Sequence, residues 1–211
     1  MNIMVTGGVG FVGTNLIKTL LNDGHTVVSL DNYSTGIEEN EIEHDNVQYF
    51  DIDLRYEHHF SRYMDDADII FHIAALARIQ PSLIDPVTSL QNNFDSTLNI
   101  LEWARGKKCP VVFAGSSSFH KGLWDSPYAW SKFAGEQLCR LYNSVYDLPT
   151  TVCRFYNVYG PHQILGGDYA AVLGIFERQY KNNEPLTITG TGEQRRDFTH
   201  VDDIVDGLIK C

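Results

Sequence analysis

Short β-branched runs alternate with longer amphipathic stretches along the chain, and this alternation limits the folds open to it more than any other feature. Strands are predicted at 3–6, 26–30, 47–50, 68–73, 110–114 and 150–155. Helices are predicted at 54–64, 87–105, 128–146 and 169–181, and residues 15–22 continue a helix with Leu16, Leu20 and Leu21 on one face. Strands that alternate with helices pair in parallel, because each crossover helix returns the chain to the same edge, so an α/β fold with a doubly wound parallel sheet is expected. After Tyr156 the pattern loosens, with Gly160, Pro161, Gly166, Gly167 and Pro185 interrupting it. A second, smaller region capping the carboxyl edge of the sheet is expected there.

The first strand runs into "TGGVGFVG", with Gly7, Gly10 and Gly13 at three-residue spacing before a helix. A flexible turn would account for spaced glycines alone. In this context each has a separate use: Gly7 makes the tight turn, Gly10 lets a pyrophosphate approach the backbone, and Gly13 lets helix and sheet pack closely. The helix N-terminus adds unpaired N–H groups and partial positive charge. The second strand ends in "VVSLDN", which places Asp31 at its tip. A carboxylate there accepts the hydroxyls of an adenosine ribose and repels a 2′-phosphate, so NAD is favoured over NADP.

"SPYAWSK" sets Tyr128 and Lys132 one helical turn apart, with Pro127 suited to the first turn. A phenol titrates near 10, too high for a base at neutral pH, and a nearby ammonium lowers that value. The pair therefore forms a usable general base. It opens the helix after the strand ending "AGSSS", at the strand edge where a doubly wound fold binds its ligands.

With these residues in place the chain resembles the extended short-chain dehydrogenases/reductases, and among them the nucleotide-sugar epimerases and dehydratases, of the UDP-glucose 4-epimerase kind. "TGGVGFVG", "LDN", "DLR", "AALA", "NNFDSTLNILEWA", "SSS", "YAWSK", "RFYNVYGP" and "RRDFTHVDDI" follow in that family's order. The resemblance implies an NAD-binding Rossmann domain over 1–156 and a partial substrate-binding region over 157–211, interleaved with it. Gly7, Gly10, Phe11, Val12 and Gly13 would hold the pyrophosphate, Asp31 and Asn32 the adenosine ribose, and Asp53 and Leu54 the adenine. Ala74 and Ala75 would line the cofactor, with Asn93 nearby. Ser117, Tyr128 and Lys132 would form the catalytic trio, Lys132 also bonding the nicotinamide ribose. Ser117, Ser118, Asn157 and Arg196 would contact the substrate, the last two at its diphosphate. The implied reaction is C4 epimerisation of a UDP-sugar through a 4-keto stage.

Two departures stand out. Ser117 and Tyr128 are separated by ten residues, "SFHKGLWDSP", where relatives usually have more. Ten extended residues reach roughly 33 Å, so the trio can still close. His120 in this loop reads as a solvated histidine, with a catalytic role as the alternative. Relatives usually continue beyond the equivalent of Cys211, so the C-terminal region reads as truncated or minimal, and weak sugar-nucleotide binding is expected. The enzyme alternative is a 4,6-dehydratase or decarboxylase of the same family; Ser118 and Phe119 stand where its dehydratases carry an acid–base pair, and no Cys stands at the Phe119 position as in its reductases and 3,5-epimerases. A non-catalytic binding protein would commonly lack the Tyr or the Lys.

A formal charge of −11 argues against a sequence-independent grip on nucleic acid. No apolar run is long enough to span a bilayer, and the N-terminus lacks the signature of a signal peptide. Cys109, Cys139, Cys153 and Cys211 are scattered and read as reduced thiols in a cytoplasmic protein, with no metal site assigned. The helices at 87–105 and 128–146 carry more apolar residues than one sheet face needs, including Trp103, Leu138, Leu141 and Tyr142, so a homodimer is expected.

Overall fold

Residues 1–56, 63, 66–120 and 122–211 are described by the structure, a computed structural model. Six parallel strands make one sheet: β1 (Asn2–Thr6), β2 (Thr26–Asp31), β3 (Val47–Asp51), β4 (Ile69–His72), β5 (Val111–Ser116) and β6 (Thr150–Phe155), in the order β3-β2-β1-β4-β5-β6. The chain winds outward from β1 to β3, crosses back, and winds the other way from β4 to β6. The reversal leaves a crevice between the carboxyl ends of β1 and β4, where Thr6 pairs in register with His72. Beyond that point the connections diverge to opposite faces, and nothing fills the gap.

On one face, Leu16, Ile17 and Leu20 of α1 (Phe11–Asn22) and Val201, Val205 and Leu208 of α7 (Val201–Ile209) pack on Val5, Val27, Phe71 and Val112. On the other, Ile100, Leu101, Trp103 and Ala104 of α4 (Ser96–Lys107) and Cys139 and Tyr142 of α5 (Pro127–Tyr146) cover Met4, Leu30, Ile70, Val111 and Phe113. Both faces of the central strands are therefore buried, which explains their unbroken apolar runs.

The helix expected over 87–105 runs without interruption from Pro86 to Lys107, as α3 (Pro86–Leu90), a π-helical turn at Gln91–Asp95, and α4. Polar side chains account for the wider turn. Asn92 Nδ2 donates to Thr88 O at 2.9 Å, and the Thr97 hydroxyl donates to Asn93 O at 2.6 Å, so side chains compete for the carbonyls of the ladder. The helix expected over 54–64 falls largely outside the described residues, and Leu54 and Arg55 form a turn. The helix expected from Tyr169 begins later, as α6 (Val172–Lys181). A short helix α2 (Ile79–Ile84), α7, and the two-residue strands β7 (Val158–Tyr159) and β8 (Thr199–His200) were not anticipated. Trp103 and Tyr142, expected at a dimer face, are buried within this chain, and Leu138 packs on the same core. Leu141 is 51% exposed, as is Val145 at 58%. No helix among the described residues is long and apolar enough to cross a membrane.

Candidate active site

A cleft of about 910 Å³ opens at the switch point, lined by the β1–α1 turn, the ends of β2 and β4, the start of α5, and segments from the last third of the chain. Gly7 sits at φ +75° with its N–H on Leu30 O at 2.8 Å, and a Cβ there would come within 2.8 Å of Ala74 backbone atoms. A Cβ on Gly13 would run into the Gly7 carbonyl oxygen. Gly10 differs: it is the N-cap of α1 at φ −82°, ψ 173°, and an added Cβ would meet only Gly7 O, at 3.2 Å. The rest of that space is open cleft. Among the described residues no side chain caps α1, and no acidic residue stands in its first turn, so its leading N–H groups face the cleft as a ready anion site. These features fit a dinucleotide pyrophosphate.

Asp31 ends β2. Its carboxylate accepts Tyr33 N–H at 2.9 Å and Val9 N–H at 3.2 Å, which ties it to the glycine turn. Burial raises its pKa, and the two backbone N–H groups work against that rise. Asn32, Leu54, Ala74 and Ala75 line the cleft as expected positions. Asp53 lines it too, but its carboxylate is gripped by Arg55, with Nε at 3.0 Å from both oxygens. Asn93 stands next to the cleft-lining 74–78 segment without lining the cleft itself. It is buried and absent from the cleft wall, because its amide holds the Leu76 backbone from both sides (Oδ1 at 2.8 Å from N, Nδ2 at 3.2 Å from O) and donates to Ser131 Oγ at 2.9 Å. Its function here is to position the 74–78 segment.

Behind that segment lies a buried chain of hydrogen bonds. Thr97 gives its hydroxyl proton to Asn93 O, so it accepts from His72 Nε2 at 3.0 Å. His72 Nδ1 is then the acceptor for the Thr6 hydroxyl at 2.7 Å. Thr6 Oγ1 in turn accepts Ile73 and Ala74 N–H at 3.2 Å each. Burial drives His72 down to about 3, so it is a neutral strut.

The chemical groups cluster at β5 and α5. Ser126 caps α5 by accepting Ala129 N–H at 3.1 Å, and Pro127 occupies the first turn. This fixes Tyr128, whose hydroxyl donates to Ser116 Oγ at 3.3 Å. Ser118 N–H donates to the same oxygen at 3.2 Å. Ser117 and Ser118 line the cleft alongside. Ser116 is thus the tyrosine's direct partner, and it was missed because three successive serines look alike in sequence. Lys132 is buried, with its ammonium 4.5 Å from the Phe113 ring centroid and no hydrogen bond among the described residues; burial lowers it to about 8. The spacing suggested that this lysine sets the tyrosine's acidity. In the structure burial raises the Tyr128 pKa, and the effects opposing it are the Ser116 hydrogen bond and the charge of Arg78, because Lys132 turns toward Phe113.

Two residues from the far end of the sequence reach the same cleft. β7 pairs with β8 in parallel, joining Val158 to Thr199, and Asn157 Nδ2 donates to Asp197 O at 2.8 Å. That pairing brings Asn157 and Arg196 to the cleft wall. His120 is exposed, stacked 6.1 Å from Tyr156 and edge-on to Phe119. Among the described residues no His, Cys, Asp and Glu group could hold a metal.

A glycine turn, an acid at the next strand's tip, and a tyrosine one turn before a buried lysine, all on one cleft, define a dinucleotide-dependent enzyme of the short-chain dehydrogenase/reductase type. Residues 3–211 match the NAD dependent epimerase/dehydratase family, and the chain belongs to it. NAD is the cofactor of that family, and the cleft fits it. The chain is 32% identical over 231 residues to the UDP-glucose 4-epimerase of Mycolicibacterium smegmatis, covering 100% of this chain and 73% of that one. It is 31% identical over 225 residues to a UDP-N-acetyl-alpha-D-glucosaminuronate decarboxylase of Bacillus cytotoxicus, covering 98% and 69%. The Bordetella bronchiseptica enzyme WbmF, solved in complex with NAD+ and UDP, superposes with a TM-score of 0.92 at 33% identity, over 100% of this chain and 68% of that one.

Proposed function

We propose that the chain is an NAD-dependent nucleotide-sugar epimerase that inverts C4 of a UDP-sugar through a transient 4-keto sugar. The observation that carries this reading is the Tyr128 hydroxyl, held on Ser116 in the cleft one helical turn before the buried Lys132, which has no hydrogen bond among the described residues. Bound NAD supplies the acceptor and donor for one hydride. Tyr128 takes the proton from the sugar's O4 and later returns it. Ser117, with Ser116 on the tyrosine hydroxyl, holds the sugar oxygen, and the Lys132 ammonium, without a hydrogen bond among the described residues, would bond a cofactor ribose hydroxyl. Asn157 and Arg196 keep the diphosphate anchored while the ketone turns its other face; a guanidinium fork suits a phosphate.

Dehydration or reduction with further inversion needs an additional acid–base group next to Ser117. Ser118 and Phe119 stand there, which supports redox at C4 without that further chemistry. The relatives named as UDP-sugar enzymes support a UDP-linked substrate. We also propose a homodimer through the α3 and α5 face, where Val87, Leu141, Val145 and Tyr146 are exposed, and a cytoplasmic location, in keeping with four free thiols. Sedimentation showing only monomer at micromolar concentration would reject the dimer. The function is tested by incubating the protein and NAD with a panel of UDP-sugars and resolving the products by NMR. C4 epimers are expected; a 4-keto-6-deoxy sugar as the product would overturn the reading.

A further inference from the structure

Arg78 has no part in the reaction as described, yet it shares the cleft with Tyr128. It ends the 74–78 segment that Asn93 latches, and it is the N-cap of α2, so its backbone is held on both sides. Its guanidinium is also held: Nε donates to Tyr169 O at 2.8 Å and Nη1 to Ala77 O at 2.8 Å. Both partners are neutral carbonyls. They use two of the five N–H donors and leave the Nη1/Nη2 end of the fork available. Among the described residues no carboxylate forms an ion pair with it, whereas Arg55, Arg105 and Arg154 each have one. Ser82 of α2, the helix that Arg78 caps, accepts the Tyr128 N–H at 3.2 Å, and Arg78 and Tyr128 both line the cleft, which places the cation on the reacting side. The phosphates are provided for elsewhere, by the α1 N-terminus and by Asn157 and Arg196.

A rigid, partly desolvated cation beside the base that handles O4 calls for an anion close to O4. On a hexose, the position that can carry one is C6, three bonds from O4 through C4 and C5. We propose that Arg78 binds a C6 carboxylate, so that the substrate class is a nucleoside-diphosphate uronate rather than a neutral hexose. The proposal rests on the C4 chemistry above and names the sugar it acts on. A planar guanidinium meets a carboxylate with two parallel hydrogen bonds, so the same contact also fixes the ring relative to Tyr128.

The test compares kcat/KM for UDP-glucuronate and UDP-glucose with the NAD-loaded protein and its Arg78→Met and Arg78→Lys variants. One charge-assisted contact corresponds to about ten- to a hundredfold in favour of the uronate. That preference is expected to fall to about one in Arg78→Met and to survive in part in Arg78→Lys. Using the ratio cancels any effect of Arg78 on Tyr128 that both substrates share. Equal or better use of UDP-glucose by the unaltered protein, or a preference that Arg78→Met leaves intact, would overturn the subsite and spare the C4 epimerase reading. Should neither sugar turn over, or should UDP-glucuronate lose CO2, the epimerase reading falls. Calorimetric affinities for the two sugars, with the same expected ratio and the same Arg78→Met collapse, then decide the subsite on their own.

Discussion

An alanine at Gly10 and an alanine at Gly13 add the same methyl group, yet the structure gives them opposite consequences. At Gly13 the methyl would drive into the Gly7 carbonyl oxygen, a backbone atom that cannot rotate away. Relief requires α1 to lift off the β1 turn, and overpacking of this kind costs about 1–3 kcal/mol. In a chain of this size each 1 kcal/mol moves Tm by roughly 2–4 °C, so Gly13→Ala is expected to melt roughly 2–12 °C lower. At Gly10 the backbone angles suit alanine, and the methyl meets only Gly7 O, at 3.2 Å. That contact is tight and needs a shift of a few tenths of an ångström, which offsets the gain from restricting the unfolded chain, so Tm is expected to change far less than for Gly13→Ala. The same methyl occupies the space where the pyrophosphate approaches α1. Losing one or two charge-assisted N–H contacts, at about 1.5–3 kcal/mol each, weakens NAD by at least roughly tenfold, and a hundredfold is in reach. Thermal unfolding without cofactor and calorimetric NAD titration separate the two effects. Gly10→Ala binding NAD within about twofold of the unaltered protein would refute the assignment of that space to the cofactor. Gly13→Ala melting unchanged would refute the packing argument.

Other outcomes follow from single groups. Asp31 should select NAD over NADP: at an effective dielectric near 20, like unit charges about 5 Å apart repel by about 3 kcal/mol, on the order of a hundredfold in affinity. Parallel titrations check this, and equal affinities would remove Asp31 from the ribose site. Tyr128→Phe should retain NAD binding and lose at least several hundredfold in turnover, since general base catalysis contributes about 10²–10⁴; a near-normal rate would remove the tyrosine from the mechanism. Lys132 is lowered by burial to about 8 from 10.5, so between those values the unfolded chain holds a proton that the folded one has released. Its contribution to stability therefore rises with pH across that window, by up to about 1.4 kcal/mol per unit. Denaturation of the cofactor-free protein at pH 8 and 10 should show that rise relative to Lys132→Met, and a flat difference would contradict the burial.

The sheet was legible because its strands are buried on both faces and its helices on one, so each leaves a distinct periodicity. The glycine turn was legible because each glycine answers a separate steric demand, at Ala74, at the open cleft and at the Gly7 carbonyl. Features that depend on residues distant in sequence were hidden. The partnership of Tyr128 with Ser116 is a matter of which hydroxyl a strand end turns inward. Asn93 could be placed near the cofactor by order along the chain, but its latch on Leu76 exists only once the π-helical turn aims its amide at that backbone. Arg78 follows the "AALA" motif and carries no signal of its own; its place beside Tyr128 is set by Tyr169 O, which arrives from the far end of the sequence. The helix α7 did leave a signal, in the spacing of Val201, Val205 and Leu208, which the short glycine-broken context obscured.

The central claim is that one carbon, C4, gives up a hydride and recovers it within a single bound state. The most direct test is to incubate the NAD-loaded protein with a UDP-sugar deuterated at C4, using UDP-glucuronate and UDP-glucose in turn, and to follow C4 by NMR. The account predicts the C4 epimer with deuterium retained at C4 and no net accumulation of NADH. Loss of the label to water, or no C4 inversion in either sugar, would contradict it.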